Sequence, residues 1–188
     1  MKNKKYLSPI LAVSIFVCVL LLDLLTKEFI IKNHIPNVGD SIKIMPGFIN
    51  FVYVKNTGAA WGMLAGRPIF LIVISLVVMG LLLTYYILRQ KKLGSKCSVL
   101  FGISVGLIAG GCIGNMIDRI FLGYVRDFIN FEFIKFPVFN FADIALTIGT
   151  IIMLVYFIFF FNKEEKLLKG GGQDERWVYC WNLQSTFG

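Results

Sequence analysis

Long apolar stretches alternate with shorter polar ones along this chain. Four stretches contain no Asp, Glu, Lys or Arg: residues 6–22, 68–88, 97–117 and 144–162. An α-helix rises about 1.5 Å per residue, so about 20 apolar residues cross the roughly 30 Å hydrocarbon layer of a bilayer. The pattern therefore predicts four transmembrane helices, at about residues 6–26, 68–88, 97–117 and 142–162.

The composition fits a chain whose solvent is partly lipid. Of its 188 residues, 57% are hydrophobic and 16% are charged, whereas soluble domains have about 45–50% apolar and about 25% charged residues. A chain of this length keeps much of its surface exposed, so the apolar excess cannot all lie in a core. The net charge of +8 would suit nucleic acid, but the basic residues flank the apolar stretches, as in membrane proteins. We therefore predict no nucleic-acid partner.

The distribution of Lys and Arg predicts how the helices cross the membrane. Cytoplasmic segments beside transmembrane helices carry more Lys and Arg than external ones. With four crossings, three basic regions share one side: Lys2, Lys4 and Lys5; Arg89, Lys91, Lys92 and Lys96; and Lys163, Lys166 and Lys169. We therefore expect both termini in the cytoplasm, and residues 27–67 and 118–143 outside.

The two outer segments and the C-terminus differ in pattern from the apolar stretches. Residues 48–55 combine β-branched and aromatic side chains in partial alternation, which predicts a short strand or hairpin. Several aromatic residues suit either an interfacial belt or ordinary loop packing: Trp61, Phe121, Tyr124, Phe128, Phe131, Phe133 and Phe136. Three glycines begin a change of composition at residue 170. We expect a four-helix domain at 1–168 and a flexible tail at 169–188.

Polar residues that carry chemistry gather at the outer ends of the predicted helices. The acids among them are Asp23, Asp118, Asp127 and Asp143. A charged group deep in a bilayer costs roughly 2.5–3.5 kcal/mol on insertion scales, so such groups usually face a protein interior or a wet cavity. All four acids can lie at one depth on one side, which favours a functional site. Asn115 shares a helix face with Asp118 and Arg119, and Arg119 either pairs with Asp118 or extends to the interface.

Each acid also has a purely structural interpretation. Asp23 and Lys27 lie four residues apart on one helix face and can form an ion pair. Asn140 and Asp143 have the spacing of a capping box at a helix start. Asp127, taken alone, is an ordinary loop acid. Spacing and topology therefore place these acids together without singling out a catalytic pair.

Five short motifs, in order along the chain, add a resemblance. They are Asp23-Leu-Leu-Thr-Lys27, Asn56-Thr-Gly-Ala-Ala-Trp61, Gly110-Gly-Cys-Ile-Gly-Asn-Met-Ile-Asp-Arg119, Val125-Arg-Asp-Phe128 and Phe139-Asn-Phe-Ala-Asp143. Their order and their placement relative to the four apolar stretches resemble those of bacterial lipoprotein signal peptidases, the type II signal peptidases. The resemblance covers about residues 6–162. Trp61 stands where phenylalanine is usual, and Arg126 stands where an apolar residue is common.

The resemblance implies which residues form the site. The two catalytic aspartates of the family correspond to Asp127 and Asp143. The other site positions of the family imply substrate-binding roles for Asp23, Lys27, Asn56, Gly58, Gly111, Asn115, Arg119, Asn140 and Ala142. We also expect Arg126 to lower the pKa of the adjacent Asp127.

The implied activity is that of a membrane-embedded aspartyl endopeptidase. Such an enzyme cleaves diacylglyceryl-modified prolipoproteins just before the lipidated cysteine, at the extracytoplasmic face of the bacterial cell membrane. Two neighbouring carboxyls cannot both ionise easily, so one keeps a proton while the other activates water. We expect no metal and no organic cofactor. Beside the substrate we expect membrane lipid as a partner, and a monomer.

Other classes of function fit the sequence less well. A transporter or channel would place acids near the centres of its helices, whereas these lie at the ends. A metal-dependent lipid phosphotransferase would favour acids closely spaced on one helix. A non-catalytic scaffold would use small residues for helix packing, and the third helix carries them in a stripe of Gly102, Gly106, Gly110 and Gly114. We expect that stripe to be structural whatever the function.

Overall fold

The structure of the protein, a computed structural model, describes residues 6–59, 63–94 and 97–168. Within these residues, four helices are long and apolar enough to cross a membrane. They are α1 (Leu7–His34), α2 (Pro68–Leu93), α3 (Val99–Leu122) and α4 (Phe141–Phe159). The other elements are a short helix, α5 (Phe161–Leu168), and the strands β1 (Ser41–Met45), β2 (Ile49–Asn56) and β3 (Val125–Phe131). The predicted fold class, four membrane helices with a small β-containing segment, is confirmed.

All four membrane helices end at positions other than those predicted: α1 at His34, α2 at Leu93, α3 at Leu122 and α4 at Phe159. The sequence predicts an end near residue 26, but α1 continues to His34. The charges of Asp23 and Lys27 do not end the helix, because these two side chains are fully buried and paired with each other. Helix α4 ends at Phe159, just before the separate helix α5.

Helix α3 is the centre of the bundle and contacts α1, α2 and α4. In an 18-residue apolar segment of α3, 61% of the residues are buried inside the protein. The share is 11–28% in the corresponding segments of the other three helices. The predicted glycine stripe lies along the face of α3 that contacts α1. A Cβ atom added at Gly106, for example, would lie 2.5 Å from the carbonyl oxygen of Ala12. The stripe therefore has the structural role that the sequence predicts.

The three strands form one antiparallel sheet in the order β1-β2-β3. Strand β2 matches the strand predicted at 48–55, and β1 completes a hairpin with it. Strand β3 was not predicted, and it places Asp127 opposite Val54 and Arg126 opposite Lys55 of β2. Asp127 is therefore a strand residue and not a loop acid. A hydrophobic cluster joins the sheet to the end of α1; its buried members are Ile30, Ile31, Ile35, Tyr53, Phe128 and Ile129.

A polar cluster joins the helices at the end of the bundle remote from the sheet. Glu164 of α5 accepts hydrogen bonds from Arg89 of α2 and from the Tyr156 hydroxyl of α4, both at 2.7 Å. It also accepts one from the backbone N–H of Ser98, just before α3, at 2.7 Å. The side chains of Arg89 and Glu164 are only 5% and 2% exposed. Helix α5 therefore holds the ends of α2, α3 and α4 together.

The aromatic residues of the two outer segments differ in how far they are buried. Phe128 is fully buried, so the interfacial interpretation is wrong for this residue. Phe121 and Phe133 are 78% and 58% exposed, as aromatic residues of a membrane interface are. The predictions made for Trp61 and for residues 169–188 lie outside the described residues.

Candidate active site

Four acids from four separate elements meet in one region of the structure. Asp23 belongs to α1, Asp118 to α3, Asp127 to β3 and Asp143 to the first turn of α4. The first three are at most 1% exposed. A buried carboxylate is costly unless it is paired or hydrogen-bonded. Each of these acids accordingly has protein partners.

The ammonium group of Lys27 lies among these acids. Its side chain is fully buried, and its Nζ atom lies 2.8 Å from Asp23 Oδ2 and 3.2 Å from Asp118 Oδ2. It also donates to Asn115 Oδ1 at 3.0 Å. Lys27 therefore contacts two carboxylates as ion pairs and one amide oxygen through a hydrogen bond. The ion pair between Asp23 and Lys27 that the sequence predicts is confirmed.

Asp118 joins α3 to the beginning of β3. Its Oδ1 atom accepts from Arg126 Nε at 3.1 Å and from Arg126 Nη2 at 2.8 Å, and its Oδ2 atom accepts from the backbone N–H of Arg126 at 3.0 Å. This role was missed at the level of sequence. The spacing of Asn115 and Asp118 places both on one helix face, but it does not indicate that Asp118 pairs with Arg126.

Two buried asparagines link the acids to one another. Asn115 Nδ2 donates to Asp143 Oδ1 at 2.8 Å, while its Oδ1 atom faces Lys27. Asn140 Nδ2 donates to Asp127 Oδ1 at 2.6 Å and to Asn115 Oδ1 at 3.0 Å. The orientation of the Asn115 amide is fixed, because Lys27 requires an acceptor on that side. The two predicted catalytic acids therefore lie on one hydrogen-bonded chain.

The beginning of α4 positions Asn140 and Asp143 together. Asn140 Oδ1 accepts from the backbone N–H of Asp143 at 3.0 Å, and Asp143 Oδ2 accepts from the backbone N–H of Asn140 at 3.1 Å. This is the predicted capping box, which satisfies two backbone N–H groups at a helix start. Because the other oxygen of Asp143 is directed to Asn115, the capping role and a role in the site are compatible.

The loop after β2 lies on the other side of Asp127. Asn56 Nδ2 donates to Asp127 Oδ2 at 2.9 Å, and Asn56 Oδ1 accepts from the Gly58 N–H at 2.9 Å. Arg119 donates to the Gly58 carbonyl oxygen at 3.0 Å and to that of Asn115 at 3.5 Å. Arg119 therefore attaches this loop to α3, and the alternative in which it pairs with Asp118 is wrong. Its Nε atom is buried and has no hydrogen-bond partner among the described residues.

The last two predicted site residues bring α4 close to its neighbours. The backbone N–H of Ala142 donates to Asp23 Oδ1 at 3.1 Å, which joins α4 to α1. Gly111 of α3 faces the carbonyl oxygen of Ala142 so closely that a Cβ atom would clash with it. Ala142 is fully buried, so it serves the site through its backbone.

Burial changes the acidity of Asp127. Removal of its carboxylate from water, together with the nearby charge of Asp143, raises the pKa of Asp127 to about 7 despite the opposing hydrogen bonds from two asparagines. The expectation that Arg126 brings this pKa below its usual value is wrong in its net result, because burial dominates and the Arg126 guanidinium is directed to Asp118. Asp127 therefore keeps its proton up to about neutral pH.

Both predicted catalytic acids line a cavity of about 940 Å³. Ligand pockets typically have about 300–1,000 Å³. Arg119 and Asn56 give it a polar part, whereas Leu71 of α2 and Ile148 of α4 belong to an apolar part that lies between these two helices. In the part of the chain that the structure describes, no three His, Cys, Asp or Glu residues are grouped so that they could hold a metal ion.

Comparison with known proteins decides the family. The sequence model of the family described as signal peptidase (SPase) II matches residues 15–159. The chain belongs to the signal peptidase II family. The predicted family and enzyme class are therefore confirmed, and the chain is a protease.

Relatives and solved structures agree with this assignment. The lipoprotein signal peptidase of Staphylococcus carnosus is 39% identical over 157 residues, which cover 82% of this chain and 93% of that protein. That of Lactobacillus johnsonii is 38% identical over 138 residues, which cover 73% of this chain and 85% of that protein.

Two solved structures described as a bacterial membrane enzyme share the fold of this signal peptidase. One has a TM-score of 0.71 at 30% identity and covers 87% of this chain and 93% of its own. The other has a TM-score of 0.68 at 32% identity and covers 79% of this chain and 93% of its own. Together with the four apolar helices, they identify a multi-pass bacterial membrane protein.

Proposed function

We propose that this protease removes signal peptides from diacylglyceryl-modified prolipoproteins, cleaving just before the lipidated cysteine, with Asp127 and Asp143 as its catalytic pair. The observation that supports the pair most directly is the hydrogen-bonded chain through Asn115 and Asn140, because it holds the two carboxyls toward one cavity. The relatives named above are lipoprotein signal peptidases, which supports the class of substrate.

The two acids have different surroundings, and the difference assigns their roles. Asp127, whose pKa is raised to about 7, keeps its proton and donates a hydrogen bond to the scissile carbonyl oxygen. Asp143 lies in the first turn of α4, where the helix dipole favours a negative charge. It takes a proton from the attacking water. A shared proton between two close carboxyls is the arrangement that aspartic proteases use.

The shape of the cavity suits a substrate that stays partly in the bilayer. Its apolar part, between α2 and α4, faces the signal helix and the acyl chains, while the acids lie at the depth of the scissile bond. Arg119 and Asn56 line the polar part, where they position the peptide backbone.

The other residues predicted to bind substrate support the site through their contacts within the protein. Asp23 and Lys27 hold α1 against α3 and α4, Asn115 and Asn140 orient the acids, and Gly58 shapes the loop beside Asp127. Gly111 and Ala142 let α3 and α4 approach closely. We place this site at the extracytoplasmic face, with both termini in the cytoplasm, because the basic segments of the sequence lie at the opposite end of the helices. The enzyme acts as a monomer in contact with lipid.

Replacement of either acid tests the proposal. The purified protein in detergent is offered a diacylglyceryl-modified prolipoprotein, with a chelator and no added metal, and cleavage is followed on a gel. Asp127→Asn and Asp143→Asn should each lower the rate by at least about 10²-fold, the usual contribution of a general acid or base. Asp40→Asn, in the turn before β1, is the matched control and should keep full activity. Full activity in either of the first two variants would falsify the catalytic assignment.

A further inference from the structure

Arg126 makes most of the contacts that hold Asp118. Among the described residues, the Asp118 side chain has four polar contacts, and three of them come from Arg126: two from its guanidinium group and one from its backbone N–H. The fourth comes from Lys27 at 3.2 Å. The Arg126 side chain is 16% exposed, and Asp118 is 1% exposed. Both guanidinium nitrogens donate to the same oxygen, Oδ1 of Asp118, and hydrogen bonds between charged groups are shorter and stronger than those between neutral groups.

The charges of this cluster balance only when Arg126 is counted. Asp23 and Asp118 are two buried carboxylates, and Lys27 alone supplies one positive charge to both. Arg126 supplies the second. The cluster is directly connected to the catalytic pair, because Lys27 also holds Asn115, which donates to Asp143.

The position of Arg126 in β3 connects it to the other acid of the pair. Successive residues of a strand point to opposite faces, so Arg126 faces Asp118 while Asp127 faces the cavity. The bond from the Arg126 N–H to Asp118 fixes the strand one residue before Asp127. This bond belongs to the backbone, so a side-chain replacement at position 126 leaves it in place and removes only the guanidinium.

We propose that Arg126 is a positioning residue of the catalytic pair. Its positive charge balances Asp118, so that Lys27 keeps its contacts with Asp23 and Asn115 and no net negative charge lies beside Asp127 and Asp143. The inference rests on the proposed roles of Asp127 and Asp143.

Other charged and titratable groups surround Arg126 and the pair. They are Asp23, Lys27 and Glu28 of α1, Tyr53 and Lys55 of β2, Asp118 and Arg119 of α3, Tyr124 before β3, and Asp143 of α4. Glu28 lies 3.3 Å from Arg126 but is 61% exposed, so water screens it. Burial raises the pKa of Tyr53 above its usual value, so this group stays neutral. The Lys55 ammonium lies over the Tyr124 ring, 4.8 Å from its centroid.

Loss of the Arg126 charge should change the pH dependence of cleavage. Activity of the unmodified enzyme should fall as the pH rises through the pKa of Asp127, about 7, because the pair then loses its shared proton. Without the Arg126 charge, a net negative charge lies beside the pair and makes the shared proton harder to remove. The alkaline limb of the pH profile should therefore move to higher pH, by ~0.5–1 unit for the loss of one charge near a partly polar site.

The test compares a neutral and a charged replacement of similar length. The pH profile of kcat/KM is measured for Arg126→Gln and Arg126→Lys with the prolipoprotein substrate in detergent. The Gln variant should show the alkaline shift and a lower kcat, whereas the Lys variant should keep the limb of the unmodified enzyme. A role limited to holding the strand would lower the rate of both variants without moving either limb, and that result would overturn the inference. Equal shifts in both variants would overturn it as well.

A double variant and a control complete the design. Arg126→Gln combined with Asp118→Asn removes one charge of each sign, so the limb should return to its original position even though the rate stays low. If the alkaline limb of this double variant stays shifted, the proposal that Arg126 balances the charge of Asp118 is contradicted. Glu28→Gln removes the exposed partner of Arg126 and should change neither rate nor limb. If Asp127→Asn or Asp143→Asn is fully active, the proposed function fails; if both are inactive and no limb moves, only the inference about Arg126 fails.

Discussion

Asn140 is the side chain on which both candidate catalytic acids depend. Its amide nitrogen donates to Asp127, and its amide oxygen caps α4 through the backbone of Asp143. It is fully buried, so no water replaces these contacts. The amide is suited to this place because it offers a donor and an acceptor on adjacent atoms. An aspartate here would add a negative charge to the pair.

Replacement of Asn140 should separate its two roles. Asn140→Ser keeps a capping oxygen but loses the donor to Asp127, so we expect at least a tenfold lower kcat. Asn140→Ala also loses the cap, which typically costs about 1 kcal/mol of stability, so its Tm in detergent should be lower than that of the Ser variant. Thr150→Ala, an exposed threonine of the same helix, serves as the control. An Asn140→Ser enzyme with normal kcat would contradict this account.

The helices could be predicted from the sequence more fully than the strands. Charge-free stretches of about 20 residues identify membrane helices by length alone. The end of α1 was predicted too early because Asp23 and Lys27 neutralise each other inside the bundle. Strand β3 was missed because Arg126 and Asp127 interrupt its apolar pattern. Both residues are satisfied by distant elements, and a single stretch of sequence does not show such partners.

The close approach of α3 and α4 beside the candidate site depends on the absence of a side chain at Gly111. In Gly111→Ala, the new methyl group meets the Ala142 carbonyl oxygen and the Leu146 side chain, so α4 must move away from α3. Because α4 carries Asp143 and Asn140, we expect a loss of activity together with a lower Tm. Gly80→Ala on α2 is the matched control, since a Cβ atom there meets nothing within 4 Å; its activity should be unchanged. A normal rate in Gly111→Ala would show that helix spacing does not limit the reaction.

At the scale of the whole molecule, the sequence placed the acids on one side but did not reveal their partners. The contact between Ala142 and Asp23 joins residues that are 119 positions apart. The contact between Arg126 and Asp118 is short in sequence but depends on a turn between α3 and β3. The topology determines at which end of a helix each acid lies. Which side chains pair depends on the orientation of each of the four helices about its own axis. The prediction of Asp127 and Asp143 as the pair came from the family motifs, which do not depend on that orientation.

The apolar part of the cavity, between α2 and α4, has a consequence for how fast the enzyme finds its substrate. A substrate that enters between two membrane helices arrives by diffusion within the lipid layer. The relevant concentration is then molecules per area of membrane, or per micelle, and not molecules per volume of solution. Raising the detergent concentration at fixed enzyme and substrate should therefore lower the initial rate in proportion to the dilution. An initial rate that does not change with detergent concentration, and depends only on the substrate concentration in the bulk solution, would indicate that the substrate enters from water.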